Sequence, residues 1–309
     1  MNPKRAVLIA GPTASGKSAL ALAVAERVGR AVIINADSMQ VYADLRVLTA
    51  RPDAADEARA RHELFGHVDG ADAYSVARYV DDASRVLAAA RGEGLLPIIV
   101  GGTGLYFKAL LEGLSPVPAI DPTLRQRLRE QAADVGAARM HALLAAKDPE
   151  MAARLVPTDT QRITRALEVI EATGRSLAEW QRLPGVPVLA VDETARFVLV
   201  PERAILMRRC DQRFGMMIAG GALDEVAALT ARRLPLDLPV MRALGVRPLA
   251  EYLAGRLPLD AACDQALAET RQFAKRQLTW LKRYMIAWRW LETQETEIND
   301  AEIVSNIDF

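Results

Sequence analysis

The stretch Ala6-Val7-Leu8-Ile9-Ala10-Gly11-Pro12-Thr13-Ala14-Ser15-Gly16-Lys17-Ser18 decides how the chain folds. Its first five residues are continuously apolar, as in a strand buried on both faces of a parallel sheet. Residues 11–18 fit the pattern GxxxxGK[ST], and the next ten read as a helix. In a chain of this length such a match arises by chance on the order of one time in a hundred. Gly11 and Gly16 let the backbone curl so that several N–H groups face one anion at a helix N-terminus. Lys17 adds a point charge, and the Ser18 hydroxyl is a candidate ligand for Mg2+, a hard ion that keeps several waters. Gly11, Pro12, Thr13, Ala14, Ser15, Gly16, Lys17 and Ser18 are therefore the candidate phosphate-binding residues. The alternative is a glycine-rich turn that binds nothing.

Two further continuous apolar runs, residues 31–34 and 95–100, flank a helical stretch at 76–91. Strand-helix-strand alternation predicts an α/β fold, a P-loop doubly wound parallel sheet. Pro116, Pro118 and Pro122 then break the alternation. A helical segment follows over 121–180, with an apolar strand returning at 197–201. The expected organisation is a core over 1–113, an α-helical insertion domain over 114–195 and a second core part over 196–290. Residues 291–309 carry six carboxylates and no base, and read as an acidic, solvated tail.

The 309 residues hold 39 Lys+Arg and 39 Asp+Glu, so any attraction to nucleic acid must be local. Cys210 and Cys263 lie far apart without a CxxC, and only three histidines occur, which excludes a Cys/His zinc site. Thiols fit a reducing compartment, although two cysteines also suffice for one bridge. The apolar run at 6–10 is too short for a signal-peptide core, so a cytoplasmic protein without membrane association is expected. Nothing like a coiled-coil heptad points to a dimer, and a monomer is expected.

A nucleotide hydrolase adds a strand ending in Asp for Mg2+ and water. The run at 95–100 ends instead in Gly101-Gly102-Thr103-Gly104, without a carboxylate. The other candidate leads to Asp37-Ser38-Met39-Gln40-Val41-Tyr42, too polar to be metal support alone. Asp after a strand is also a common turn cap.

Taken together, the chain resembles the bacterial tRNA dimethylallyltransferases, also called tRNA isopentenyltransferases. The resemblance rests on residues 11–18, on Asp37-Ser38-x-Gln40-x-Tyr42 and on Gly101-Gly102-Thr103-Gly104-Leu105-Tyr106-Phe107. It continues through Gln161-Arg162-Ile163-x-Arg165-Ala166-Leu167-Glu168 and Thr270-Arg271-Gln272-x-Ala274-Lys275-Arg276-Gln277-x-Thr279-Trp280, so it spans nearly the whole chain. It implies transfer of a dimethylallyl group from dimethylallyl diphosphate to N6 of the adenosine immediately 3′ of the tRNA anticodon. Residues 11–18 would then cradle diphosphate attached to an alkyl group, which accounts for the missing second carboxylate, and Asp37 would face the adenine amine. Asp37, Ser38, Met39, Gln40, Thr103, Arg125, Gln161, Arg162, Ile163, Thr164 and Arg165 would lie along the tRNA. So would Arg242, Ala243, Leu244, Gly245, Val246 and Arg247. The chain departs from the family where an aromatic residue is common, at Val246.

The exocyclic amine of adenine is a poor nucleophile, and a carboxylate accepting its proton would assist it. Asp37 is the candidate base. Diphosphate leaves only if its growing charge is neutralised, a task for loop amides, Lys17, Mg2+ on Ser18 and an arginine. The Thr13 hydroxyl is a candidate donor to the bridging oxygen, and Arg209 and Arg213 are candidates to reach the same phosphates. Thr103 reads either as a helix N-cap or as part of a ligand loop. Tyr106 and Phe107 read as core. On the late helix Arg271, Lys275 and Arg276 begin a basic face, with Trp280, Tyr284 and Trp288 as an aromatic stripe at spacing four. Rival readings are a small-molecule or nucleotide kinase, an adenylate isopentenyltransferase using free nucleotide, and a non-catalytic RNA-binding module.

Overall fold

The structure, a computed structural model, describes residues 5–293 together with Ile303 and Ser305. Contacts divide the chain into two units, residues 1–111 with 188–309, and residues 112–187.

The first unit is built on six parallel strands: β1 Ala6–Ala10, β2 Ala31–Asn35, β3 Arg61–Glu63, β4 Leu96–Gly101, β5 Thr194–Pro201 and β6 Arg289–Thr293. Their order across the sheet is β3-β2-β4-β1-β5-β6. The continuous apolar runs are explained by burial on both faces. Leu8, Ala10, Val32, Ile34 and Ile99 enter one core. Val7, Ile9, Ile33, Ile98 and Val100 enter the other, against Leu20, Ala21 and Val24 of α1 Lys17–Val28. The remaining helices before the insertion are α2 Ala54–Arg59, α3 Val76–Gly92 and α4 Gly104–Glu112. Asp53 and Ser75 cap α2 and α3 with side-chain oxygens, as short polar residues do at helix starts.

The second unit contains α5 Pro122–Lys147, α6 Pro149–Arg154, α7 Thr160–Thr173 and α8 Leu177–Trp180. It has its own core of Leu128, Met140, Leu144, Met151, Ile163 and Leu167. The helical stretch is broken, since α5 kinks at Gly136, φ 76°, and Pro149 starts a new helix. The unit ends at Pro187, earlier than the expected 195. The reason is that the Val188 and Leu189 N–H groups already donate to the Leu110 carbonyl of the first unit.

After β5 come α9 Arg203–Ala219, α10 Ala222–Ala231, α11 Val246–Leu253 and α12 Leu259–Tyr284. Two expectations at this end are corrected. Residues 291–293 are not tail but the end of the edge strand β6, which pairs with β5 from Phe197↔Arg289 to Pro201↔Thr293. Ile303 is buried against the sheet, and the rest of the acidic tail lies outside the described residues. Trp288 is not on α12, because the helix stops at Tyr284. It packs edge-on against Phe107, ring centroids 5.5 Å apart. Cys210 and Cys263 are both free thiols. No single helix among the described residues is long and apolar enough to cross a membrane.

Candidate active site

Open α/β sheets hold ligands outside the carboxyl ends of their strands. Here the segments following β1, β2 and β4 meet at that edge. Because β4 lies between β1 and β2, its end is squeezed by both neighbours. A Cβ on Gly101 would stand 2.1 Å from the Ala36 carbonyl. One on Gly102 would meet Gln277 Nε2 at 2.2 Å and Gly11 O at 3.3 Å, and one on Gly104 would strike the Trp280 ring at 2.1 Å. The glycines are thus required by close approach of chain to chain.

The phosphate loop owes its shape to alternating backbone hand. Ala14 has φ 61° and Gly16 has φ 92°. Left-handed residues interspersed with ordinary ones turn N–H groups to one side, forming a concavity for an anion. Lys17 Nζ lies over the loop and donates to the Pro12 carbonyl at 3.2 Å. Burial lowers the Lys17 pKa to about 8, helped by the neighbouring Arg213 and opposed by Asp37 and Cys210. The Ser15 hydroxyl is buried without a hydrogen-bond partner. Ser18 is exposed in the first turn of α1.

Helix α9 delivers both expected arginines. Arg213 Nη2 donates to the Thr13 hydroxyl. Arg209 Nη1 donates to the Ser15 carbonyl at 3.4 Å. Burial lowers the Arg213 pKa, while Cys210 and Asp37 pull it upward. Lys17, Arg213 and Asp37 are therefore electrostatic neighbours.

Asp37 sits in a turn that Asn35 organises. The Asp37 N–H donates to Asn35 Oδ1 at 2.8 Å, and Asn35 Nδ2 donates to the carbonyls of Asp37 and Leu64 at 2.9 and 3.0 Å. Met39 N–H donates to Asp37 Oδ1 at 2.9 Å, so Asp37 does cap its turn. Thr103 stands at the start of α4, where its carbonyl accepts from the Tyr106 N–H at 2.9 Å. Its hydroxyl accepts from Ser38 N–H at 2.9 Å, and its N–H donates to the Ala36 carbonyl at 3.1 Å, tying the end of β4 to this turn. Gln40 Nε2 donates to the Thr49 and Ala50 carbonyls, each at 2.9 Å. Met39 packs on the core. Tyr106 is buried and stacked on Tyr79 at 3.7 Å, and Phe107 is fully buried.

Several residues expected along the tRNA are turned inward. Ile163 and Thr164 are buried in the insertion, because α7 points the 163, 166 and 167 positions at its core. Gln161 and Arg162 stay exposed, and Arg165 is half-buried. Arg162 pairs with Asp159 at 3.0 Å, Arg165 with Glu168 at 3.2 Å, and Arg125 lies 4.0 Å from Glu168. Ala243, Gly245 and Val246 are likewise buried, since Gly245, φ 85°, turns the chain inward to start α11. Arg242 and Arg247 flank them, exposed, with Leu244 half-buried. On α12 Lys275 and Arg276 are exposed, while Arg271 is paired with Asp211 at 2.7 Å.

Gln277 and Asn35 received no role from the sequence. Gln277 Oε1 accepts from Thr13 N–H at 2.8 Å, and its Nε2 donates to the Gly102 carbonyl at 3.0 Å. The signal for it was its place beside Thr270, Ala274 and Leu281 on the buried face of α12. A long polar side chain there needs partners. Asn35 was signalled by ending an apolar strand on an amide.

A phosphate loop on a parallel sheet, with a carboxylate turn beside it and a helical insertion, defines a P-loop α/β protein whose β4 ends on glycine and not on a carboxylate. The family described as IPP transferase matches residues 40–284, and the one described as isopentenyl transferase matches residues 4–64. The chain belongs to the IPP transferase family. It is 55% identical over 283 residues to a tRNA dimethylallyltransferase of Azorhizobium caulinodans, covering 92% of this chain and 90% of that protein. It is 50% identical over 304 residues to the one from Parvibaculum lavamentivorans, covering 98% and 96%. Among solved structures, the tRNA isopentenylpyrophosphate transferase of Bacillus halodurans superposes with a TM-score of 0.68 at 31% identity, covering 98% and 94%. A eukaryotic dimethylallyltransferase acting on tRNA superposes with a TM-score of 0.80 at 26% identity, covering 94% of this chain and 74% of that one.

Proposed function

We propose that the protein transfers a dimethylallyl group from dimethylallyl diphosphate to N6 of the adenosine immediately 3′ of the tRNA anticodon. The observation that carries the reading is that Lys17 and Arg213, the latter bonded to Thr13, are electrostatic neighbours of Asp37 at the carboxyl ends of the strands. Cations and a hydroxyl suit the departing diphosphate, and a carboxylate suits the incoming amine.

In the reaction N6 bonds to C1 of the dimethylallyl group as the C1–O bond breaks. Diphosphate takes the electron pair, and Asp37 takes the N6 proton. The loop amides and Lys17 hold phosphate oxygens already charged in the bound donor. Thr13, oriented by Arg213, donates where charge grows on the bridging oxygen, a stabilisation felt most in the transition state. The target base leaves its stack to reach the site, since an amine inside a stacked loop is inaccessible.

The donor set also fits Mg2+. The first turn of α1 has no acidic residue, and no group of three His, Cys, Asp or Glu gathers for a metal among the described residues. One exposed hydroxyl, Ser18, suits an ion whose other ligands are water and diphosphate oxygens. When bound, Mg2+ would offset charge on the diphosphate.

The RNA would lie over the exposed cations of α12 and those at Arg242 and Arg247, with Gln161, Arg162, Arg165 and Arg125 of the insertion as further contacts. A single chain carries all these groups, and the protein acts as a monomer in this reading. Incubation with radiolabelled dimethylallyl diphosphate, Mg2+ and unmodified total tRNA, without ATP, should place label in RNA. Label that enters only when ATP is added would overturn the reading in favour of a kinase. Label entering free AMP instead of tRNA would favour an adenylate isopentenyltransferase.

A further inference from the structure

We propose that Gln277 is a positioning residue that clamps the phosphate loop to the Asp37 turn, so that seating of α12 sets the gap between leaving group and base. The proposal rests on the reaction given above, and it starts from the two faces of α12. Arg271, Lys275, Arg276, Lys282 and Arg283 are exposed, whereas Thr270, Ala274, Gln277 and Leu281 are buried. Gln277 is 6% exposed. Leucine would fill such a place at no polar cost, and a buried amide is tolerable only when both its ends are paired.

Both ends are paired, and each to a different loop. The carbonyl end takes the Thr13 N–H and the amide end reaches the Gly102 carbonyl, 264 and 175 positions earlier in the chain. Two consequences follow for the site. First, the Thr13 N–H is withdrawn from the anion concavity, which leaves Thr13 to face substrate through its hydroxyl, the group Arg213 holds. Second, the Gly102 carbonyl is fixed one residue before Thr103, whose hydroxyl holds Ser38 beside Asp37. From one amide, a short path of bonds leads to the bridging-oxygen donor and another to the base.

The sockets agree with this. Gly102 lacks the Cβ that would displace Gln277, and Gly104 lacks the one that would displace Trp280, one turn further along α12. Lys275 and Arg276 immediately precede the clamp and are exposed. Reacting groups held about 1 Å from their productive positions lose roughly a hundredfold in rate. Loosening the clamp should therefore harm turnover more than binding.

The test uses the full chain and single-turnover transfer at saturating donor and tRNA. Gln277→Met keeps the volume and removes both bonds. Its rate is expected to fall about 10- to 100-fold, with dissociation constants for tRNA and for inorganic pyrophosphate changed less than about threefold. Gly102→Ala should give a similar defect, and the double variant should be no worse than either alone, as for two changes that break one interaction. A folded Gln277→Met protein with a rate within threefold of the parent overturns the proposal. So does a rate loss that disappears when tRNA is raised, because the residue then serves binding. If Gln277→Met does not fold, the isosteric Gln277→Glu, which keeps the acceptor and loses the donor, is judged by the same criteria. A parent protein that transfers no label overturns the underlying reaction, and this proposal with it. Normal transfer by parent and variants alike overturns the clamp alone.

Discussion

Arg213 donates a hydrogen bond to the hydroxyl of Thr13, 200 positions earlier in the chain. The contact joins a hydroxyl of the phosphate loop to a half-buried arginine of α9. It makes Thr13 a donor with a fixed direction, because its oxygen lone pair is engaged and its proton is left to point elsewhere. Arg213→Ala should lower the single-turnover rate by roughly 10²–10³, the usual cost of losing one preorganised donor. Arg213→Lys should recover less than tenfold of that, since an ammonium keeps charge but not the guanidinium fork. Full recovery with lysine would mean that only charge matters.

Asp37→Asn keeps the side-chain oxygen that caps the turn and discards proton affinity. Its single-turnover rate should fall by roughly 10²–10⁴, with tRNA affinity changed only several-fold. A turn cap alone predicts a loss of about 1 kcal/mol in stability and an almost normal rate. Rate and thermal unfolding measured on the same preparation separate the two.

Lys17 supplies a pH dependence with a definite sign. In the free protein its pKa is lowered to about 8 from 10.5. Diphosphate prefers the ammonium form, so binding above pH 8 must take up a proton, and affinity should weaken as pH rises through that value. Calorimetry with pyrophosphate at pH 7 and pH 9 in buffers of different ionisation enthalpy should show the uptake at pH 9 only. For the same group, the unfolded chain binds the proton more tightly. The free protein should therefore gain stability between pH 8 and 10.5 from this residue. Lys17→Met should remove both effects.

Binding of tRNA should be steeply salt-dependent. With about five phosphate contacts, log K should fall against log salt with a slope of roughly −3.5 to −4.5. Replacing Lys275 and Arg276 by Ala should flatten the slope by about 2 units, one for each contact. Arg271→Ala should change it less, because that guanidinium is already paired with Asp211. Equal effects from all three would place RNA across the Arg271–Asp211 pair.

The centre of the fold was legible because its signals are local. Strands β1, β2, β4 and β5 each contain an unbroken apolar run, and eight consecutive residues spell the phosphate loop. The edges were not. Arg61-His62-Glu63 forms β3 with no apolar residue, relying on its pairing with Val32, Ile33 and Ile34. β6 begins at Arg289 beside carboxylates that imitate a tail. The stripe Trp280, Tyr284, Trp288 kept helical spacing past the point where Met285, φ −115° and ψ 34°, leaves helical geometry. Within the site, loop residues declared themselves by type. Gln277 did not, since its meaning depends on partners hundreds of positions away.

The sockets at Gly102 and Gly104 have a consequence in time as well as space. Ribosomes emit the phosphate loop, Asp37 and both sockets in the first half of synthesis, yet the side chains that fill the sockets come from α12. A half-made chain thus carries its reactive groups unfastened. A chain that ends before α12 would hold every residue of the loop and lack the side chains that fasten it. The loop is synthesised early, and its fastening arrives only when the late helix docks.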